Sequence, residues 1–342
     1  MKKVSISDIA RKAGVSVSTV SFVMNDKAIK MRISREVIEK VENVAREMGY
    51  RPNQLARGLR TGRTKTIGLI VENISNAFFA SMAKTIEDEA KKYDYKVVYC
   101  STDNDEEKAK DLINMLSQRQ VDGYIITPTL GLADEIRKLQ AENKPVILID
   151  RYFPDHEEIP SVLVDNYQGV SEGMEYLIGR GYKKIALMTI EADMAHMHDR
   201  LQAYYDVLDK HGMEADPKRV KQIPYNYVRE AALDEVSEFL SSTRGDVDAI
   251  FFLTNYLGVL GIEVTKSLGI RIPEDVAMLC FDDNDIFRLY TPTISVIRQP
   301  IVGIGQQAMA SLIERLRQTG PAEYPETEPV KLAAELVPRQ SI

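Results

Sequence analysis

Residues 4–25 read VSISDIARKAGVSVSTVSFVMN, two short helical patterns broken at Ala13-Gly14-Val15. Ser5 is placed to cap the first, with Asp8 three positions on as the return half of a near capping box, and Ile6, Ile9, Ala10 and Ala13 share one face. Gly14 permits the left-handed turn that ends it. Ser16 caps the second pattern, worth roughly 1 kcal/mol, and Val20, Val23 and Met24 continue the apolar face through Asn25. Val37, Ile38, Val41, Ala45 and Met48, introduced by Ser34 and stopped by Gly49, supply a third helix. A helix, a turn carrying Gly and a second helix is the helix-turn-helix spacing, and the third helix closes a miniature core. That leaves Val17, Ser18 and Phe22 on the open face of the second helix, free for a DNA groove.

The charge distribution agrees. Residues 1–65 hold 15 Lys and Arg against 6 Asp and Glu, whereas the remainder holds 29 against 45. A basic head on an acidic body is drawn to a polyanion by the head alone. The 342 residues suit two or three domains, and 44% hydrophobic with 28% charged residues is ordinary for a globular protein. The start, MKKVSISDIA, has no apolar run of signal-peptide length, and no later stretch matches a bilayer, so a cytoplasmic chain with no membrane partner is expected. Cys100 and Cys280 each sit in an apolar strand-like run, which makes neither a disulfide framework nor a zinc site.

Beyond the third helix, YRPNQLARGLRTGRTKTIGLIV reads as an extended stop at Arg51-Pro52, a short helical turn with Leu55 and Leu59 one turn apart, a basic strip and a buried strand. From Lys65 onward, apolar runs such as TIGLIV, GYIIT, VILID, AIFFL and VAMLCF alternate with amphipathic segments, the pattern of parallel α/β sheets with helices on both faces. About 275 residues exceed one comfortable core and suit two lobes.

Together, DIARKAGVSVSTVS, GYRPNQLARGLRTGRTKTIGLIV, ISNAFFA, VDGYII, PVILIDR and PEDVAMLCFDD…TPTISVIRQP resemble the lac repressor and purine repressor family of bacterial transcriptional regulators over essentially the whole chain. The resemblance implies a helix-turn-helix headpiece over 1–50, a hinge helix and linker over 51–64, and a periplasmic-binding-protein-like body. In that body one lobe spans 65–165 plus 299–323 and the other 166–298 plus 324–342, with crossings near Asp165-Asn166, Gln299 and Tyr324. It assigns base reading to Val17, Ser18 and Phe22, a minor-groove wedge to Leu59 and packing on a dimer mate to Leu55. The DNA-contacting set extends to Ser5, Ser16, Thr19, Ser21, Asn25, Tyr50, Asn53, Ala56 and Arg57. Inserting Leu59 would unstack a base step, at a cost of a few kcal/mol, and bend the duplex onto more protein. Gly58 replaces a larger polar residue, and Gly in a short helix costs roughly 0.5 to 1 kcal/mol relative to Ala, so residues 52–60 are expected to fold on DNA. Phe22 stands where relatives often have a guanine-reading Arg; a phenyl ring instead packs on a thymine methyl. Its alternative is to plug the small core.

Ligands of such sheets sit beyond the carboxyl ends of the strands, in the cleft between lobes. That rule selects Asp150, Asp282, Asp283, Asn255 and Ile74-Ser75-Asn76, the last leading to Phe78 and Phe79. By the resemblance, the effector-contacting set is Phe78, Phe79, Asp150, Arg200, Tyr227, Asn255 and Asp282. Asp at a strand end also caps helices, and Phe78 or Phe79 could be core. Tyr256 stands where relatives usually have Asp, which alters the rim.

Other chemistry is weak. GIGQQA, Gly303–Ala308, imitates a dinucleotide fingerprint without the strand that should precede it; GLRTGRT has phosphate-loop flavour with wrong spacing and Arg63 in place of Lys. His196 and His198 point to nearly opposite sides of a helix, a poor metal pair. No Ser, His and Asp set assembles. The expected protein is no enzyme, takes no cofactor or metal, and is a homodimer that binds a double-stranded, pseudo-palindromic operator under control of a sugar-like small-molecule effector. The end, ELVPRQSI, has no heptad extension, so no tetramer is expected. A solute-binding module or a sugar- or nucleotide-modifying enzyme of similar fold is the alternative, disfavoured by the basic head and the missing export signal and acid/base pair.

Overall fold

The computed structural model describes residues 4–25, 27–50, 63–156, 158–191, 193–225, 227–318 and 328–342. Asn53, Leu55, Ala56, Arg57, Gly58 and Leu59 lie outside the described residues. The chain divides into two compact units, Met1–Thr64 and Lys65–Ile342.

The first unit holds α1 (Ile6–Ala13), α2 (Val17–Val23) and α3 (Arg35–Glu47). The capping box at Ser5 is complete: its Oγ accepts from Asp8 N at 3.3 Å and its N donates to Asp8 Oδ2 at 3.0 Å. Gly14 takes φ 64° and donates its N–H to Ala10 O, closing α1 as the sequence requires. Ser16 and Ser34 cap α2 and α3 in the same way, through Thr19 N and Val37 N. Helix α2 stops at Val23 and not at Asn25, because the Asn25 amide turns back to donate to Ser21 O at 2.5 Å. Ile9, Ala10, Ala13, Val20, Val23, Val41 and Ala45 form the buried core, with Met24, Val37, Ile38 and Met48 packed around it.

The second unit is built on two six-stranded sheets. Sheet one takes β1 (Thr66–Val71), β2 (Lys96–Ser101), β3 (Gly123–Ile126), β4 (Val146–Ile149), β5 (Ser161–Val164) and β11 (Val330–Leu332) in the order β11-β5-β4-β3-β1-β2. Sheet two takes β6 (Ile185–Glu191), β7 (Val220–Pro224), β8 (Ala249–Phe252), β9 (Ala277–Phe281), β10 (Ser295–Arg298) and β12 (Glu335–Val337) in the order β12-β10-β9-β8-β6-β7. Among the described residues every pairing is parallel except β10 with β12. The central strands β3, β4, β8 and β9 are buried throughout, which is why they read as unbroken apolar runs without alternation.

The helices follow the strands: α4 (Ala77–Lys92), α5 (Glu106–Gln118), α6 (Ala133–Ala141), α7 (Asn166–Gly179), α8 (Ala195–Lys210), α9 (Arg229–Ser242), α10 (Asn255–Ser267), α11 (Asp285–Leu289) and α12 (Ile301–Arg317). Helix α12 packs on α4 and on β3, β4 and β5, so it belongs with the first sheet, and α7 packs on α8 and the second. On α7, a Cβ at Gly173 would lie 2.9 Å from Leu279 Cδ2 and 3.0 Å from Phe251 Cε1, so a larger residue there would have to displace both side chains or push the helix off its sheet. The chain passes between lobes after β5, after β10 and a third time at 333–334. That last crossing corrects the expected one near Tyr324: β11 returns to pair with β5, so Val330–Leu332 belongs to the first lobe and only β12 joins the second. No described helix is long and apolar enough to cross a membrane.

Candidate functional site

In both sheets the strand order reverses beside the first strand of the lobe, between β1 and β3 and between β6 and β8. Such a switch point opens a crevice at the carboxyl ends of the strands. Asp150, just after β4, and Asp282, just after β9, occupy matching places in the two lobes with φ 67° and 73°, a left-handed conformation in which non-glycine residues are strained.

A cavity of about 50 Å³ lies between the lobes, lined by Phe78, Phe79, Asp150, Arg200 and Asp282, all from the expected set. Phe78 and Phe79 meet edge-on at 5.0 Å between ring centroids; they line this cavity and are also part of the hydrophobic core. Arg200 Nε donates to Asn166 Oδ1 at 2.7 Å and Nη1 to Leu253 O at 2.6 Å. Gln299 Nε2 donates to Asp282 Oδ1 at 2.6 Å. Asn166 and Gln299 sit on the first two crossings, so cleft side chains are fastened to the segments about which the lobes would hinge.

Asp283, the other acid of that strand end, points elsewhere: Arg339 donates to it twice, at 2.9 and 2.6 Å, and Arg298 Nη2 at 2.9 Å. Those cations hold its carboxyl below the usual range against burial. Burial pushes Asp150 up to about 6, although Arg151 and Arg200 oppose it, and Asp282 is raised by burial against Arg200. Asn255 and Tyr227 line a second cavity of about 620 Å³ that adjoins the first through Glu72, Asn76, Ile190, Tyr225 and Tyr256.

Several cleft residues escaped the sequence reading. Arg151 donates Nη1 to Asn104 Oδ1 at 2.7 Å and pairs with Glu72, and the Tyr225 phenol hydrogen-bonds that same pair. His196 is buried, and burial together with Arg151 and Arg200 holds its pKa well below normal, so the ring is neutral. His196 Nδ1 and Gln299 Oε1 are buried with no hydrogen-bond partner, while Arg151 Nε lies 3.5 Å from Asp150 Oδ2 in a buried ion pair. Arg151 adjoins Asp150 in ILIDR, a signal available in the sequence; His196 and Tyr225 had none. Among the described residues no group of three His, Cys, Asp or Glu is placed to hold a metal. Gly303–Ala308 lies inside α12, a helix interior and not a strand-to-helix turn.

On the head, Val17 is half exposed, Ser18 is exposed, and Phe22 is half-buried but belongs to neither the core nor its packed fringe. Ser5 and Ser16 are caps, Thr19 Oγ1 lies 2.8 Å from Ser16 Oγ, Ser21 and Asn25 bond one another, and Tyr50 packs on the head core.

A capped helix-turn-helix unit with an outward-facing second helix, joined in sequence to a two-lobed α/β body with a polar cleft, defines a DNA-binding transcriptional regulator. The family described as bacterial regulatory proteins, lacI family, matches residues 5–53, and that of periplasmic binding proteins and sugar binding domain of LacI family matches residues 64–336. The chain belongs to the LacI family of transcriptional regulators, proteins of repressor type that are not enzymes. It is 32% identical over 316 residues to the HTH-type transcriptional regulator RegA of Clostridium saccharobutylicum, covering 92% of this chain and 93% of that one. Catabolite control protein A of Staphylococcus xylosus is 31% identical over 317 residues, again 92% and 93%. In fold the chain is similar to the lac repressor dimer bound to operator and an anti-inducer, with a TM-score of 0.84, 22% identity and 99% of each chain covered.

Proposed function

We propose that this regulator binds a pseudo-palindromic operator as a homodimer, in the cytoplasm, with an affinity set by a sugar or sugar derivative in the cleft. The observation that carries the effector half is the convergence of two unpartnered buried polar atoms, His196 Nδ1 and Gln299 Oε1, with the buried Asp150–Arg151 ion pair, on a cavity between two hinged lobes. Buried polar groups without partners are costly, and a polyhydroxylated ligand supplies the missing bonds. Phe78, Phe79, Asp150, Arg200, Tyr227, Asn255 and Asp282 are its proposed contacts. The family's sugar binding domain over residues 64–336 supports the ligand class.

The DNA half rests on Val17, Ser18 and Phe22, an apolar and hydroxyl-bearing set that the core does not consume. Ser5, Ser16, Thr19, Ser21, Asn25 and Tyr50, with Asn53, Leu55, Ala56, Arg57 and Leu59, complete the proposed contact set. One head presents too few contacts, and a two-fold dimer reads two half-sites. An effector that changes the angle between lobes alters the spacing of the two linkers; a coupling of about 1 to 3 kcal/mol makes a useful switch.

Selection of duplexes from a random pool by the full chain, followed by a salt titration on the recovered site, tests this. With 6 to 10 phosphate contacts per dimer, the log-log slope is expected near −5 to −9. A slope near zero, or binding retained after removal of residues 1–60, overturns the DNA reading. A melting-temperature screen with sugars, nucleosides and purines tests the other half, because a specific ligand stabilises by mass action. A response to purines alone overturns the sugar assignment.

A further inference from the structure

Resting on the sugar reading, we infer that the effector is a neutral saccharide of at least two units, whose outer ring occupies the 620 Å³ cavity bounded by Tyr225, Tyr227 and Tyr256.

Size separates the two cavities. The inner one, about 50 Å³, has room for a few waters and for no sugar ring, whereas the outer one falls in the range of ligand sites. They are contiguous, and the bar between them is a hydrogen bond from Asn76 Nδ2 to Tyr256 Oη that ties the first lobe to the second. Asn76 also caps α4 through Phe78 N, at 3.0 Å, so its side chain is held in place to make that bond. A ligand reaching the unpartnered atoms behind the bar must displace Tyr256, and its remainder then lies in the outer cavity.

Charge separates neutral from anionic sugars. The charged residues on the outer wall are Glu72, Asp103 and Arg229, and each is already paired, with Arg151, Lys108 and Glu263. Among the described residues a phosphate or carboxylate would find no spare cation there, and desolvating it unpaired is costly. Farther in, Glu72, Asp150 and Asp282 face Arg151 and Arg200, an excess of carboxylate that disfavours a second anion. Asn73, Asn255 and Asn284 offer amides for hydroxyl groups, while Val259, Leu260, Ile286 and the phenol rings offer flat apolar surface to the C–H face of a ring.

The test is a thermal-shift and calorimetric comparison on the full chain. The probes are cellobiose, maltose, lactose and melibiose, set against glucose, galactose, xylose and ribose, and against glucose 6-phosphate and galacturonate. A neutral disaccharide is expected to bind about tenfold more tightly than either of its own monosaccharides, the ratio one aromatic contact face supplies. The phosphorylated and acidic sugars are expected to give no shift. Tyr227→Ala is expected to weaken the disaccharide more than the monosaccharide, and Val259→Trp, which fills the outer cavity, to do the same. A monosaccharide that matches every disaccharide, or an anionic sugar that binds more tightly, overturns this inference and leaves the sugar reading standing. If no saccharide of any class shifts the melting point while a purine or nucleoside does, both readings fall together.

Discussion

The guanidinium carbon of Arg200 lies 3.7 Å from the centroid of the Phe281 ring, stacked between the end of β9 and the cleft. The same side chain bonds Asn166 on the first crossing and the carbonyl of Leu253 beyond β8, so one residue ties a strand end, a loop and a hinge. Burial pulls its pKa down while Asp282 and Asp150 push it up, which marks it as a buried cation held by its surroundings. Truncating one member of such a set leaves uncompensated carboxylates, and Arg200→Ala is expected to cost about 3–5 kcal/mol in urea unfolding. It is also expected to abolish any ligand-induced rise in melting temperature. Arg200→Lys keeps the charge but loses the fork, and should fall between the two. Unchanged unfolding of the alanine variant would mean that Asn166 and Leu253 find other partners and that the residue serves ligand alone.

Asp150 gives the body a pH dependence opposite to that of a salt-bridged carboxylate. Its pKa rises from 3.8 in the free side chain to about 6 in the fold, chiefly through burial, so the folded state favours the protonated acid. Below the unfolded value both states are protonated and no penalty exists; as pH climbs from about 4 to 6 the unfolded chain ionises first, and stability is lost. Two pKa units correspond to about 3 kcal/mol. Asp150→Asn is expected to remove that penalty, so the difference between wild type and variant in urea unfolding should be small near pH 4 and grow in the variant's favour up to pH 6. A difference that shrinks over that interval would show that the nearby Arg151 and Arg200 outweigh burial.

The headpiece was the most legible part of the chain, since caps, glycine turn and apolar spacing are local and each acts within a few residues. Ser5, Gly14, Ser16, Ser34 and Gly49 all act at helix ends, where short-range chemistry decides. The α/β body was legible at the level of strands and lobes because buried parallel strands are continuous apolar runs. The third crossing was not: β11 and β12 are three-residue edge strands with mixed burial, and which sheet each joins is a tertiary choice. In the cleft, strand-end acids could be found by rule, yet Asp282 and Asp283 are adjacent, and only their long-range partners, Gln299 for one and Arg339 with Arg298 for the other, decide which faces the cavity. Arg151, His196 and Tyr225 meet from three separate segments, a proximity no local pattern encodes.

Phe22 provides a test of operator reading that does not disturb the head. It is half-buried on α2 outside the core cluster, beside Val17 and Ser18 on the face left free by Val20 and Val23. Among base edges in the major groove, a phenyl ring finds its best apolar surface at the thymine methyl, whereas an arginine at the same place donates two bonds to guanine O6 and N7. Phe22→Arg is therefore expected to shift the preferred base from thymine to guanine at one position of each half-site, by about 1–3 kcal/mol per half-site. Head stability should be unchanged, because no core contact is lost. The log-log salt slope should also hold, since the new bonds go to a base and not to a phosphate. Competition binding on operators differing only at that base pair, at one fixed salt concentration, measures the shift. A variant that loses affinity equally for all four bases, with a lowered melting point of the head, would place Phe22 in the core after all.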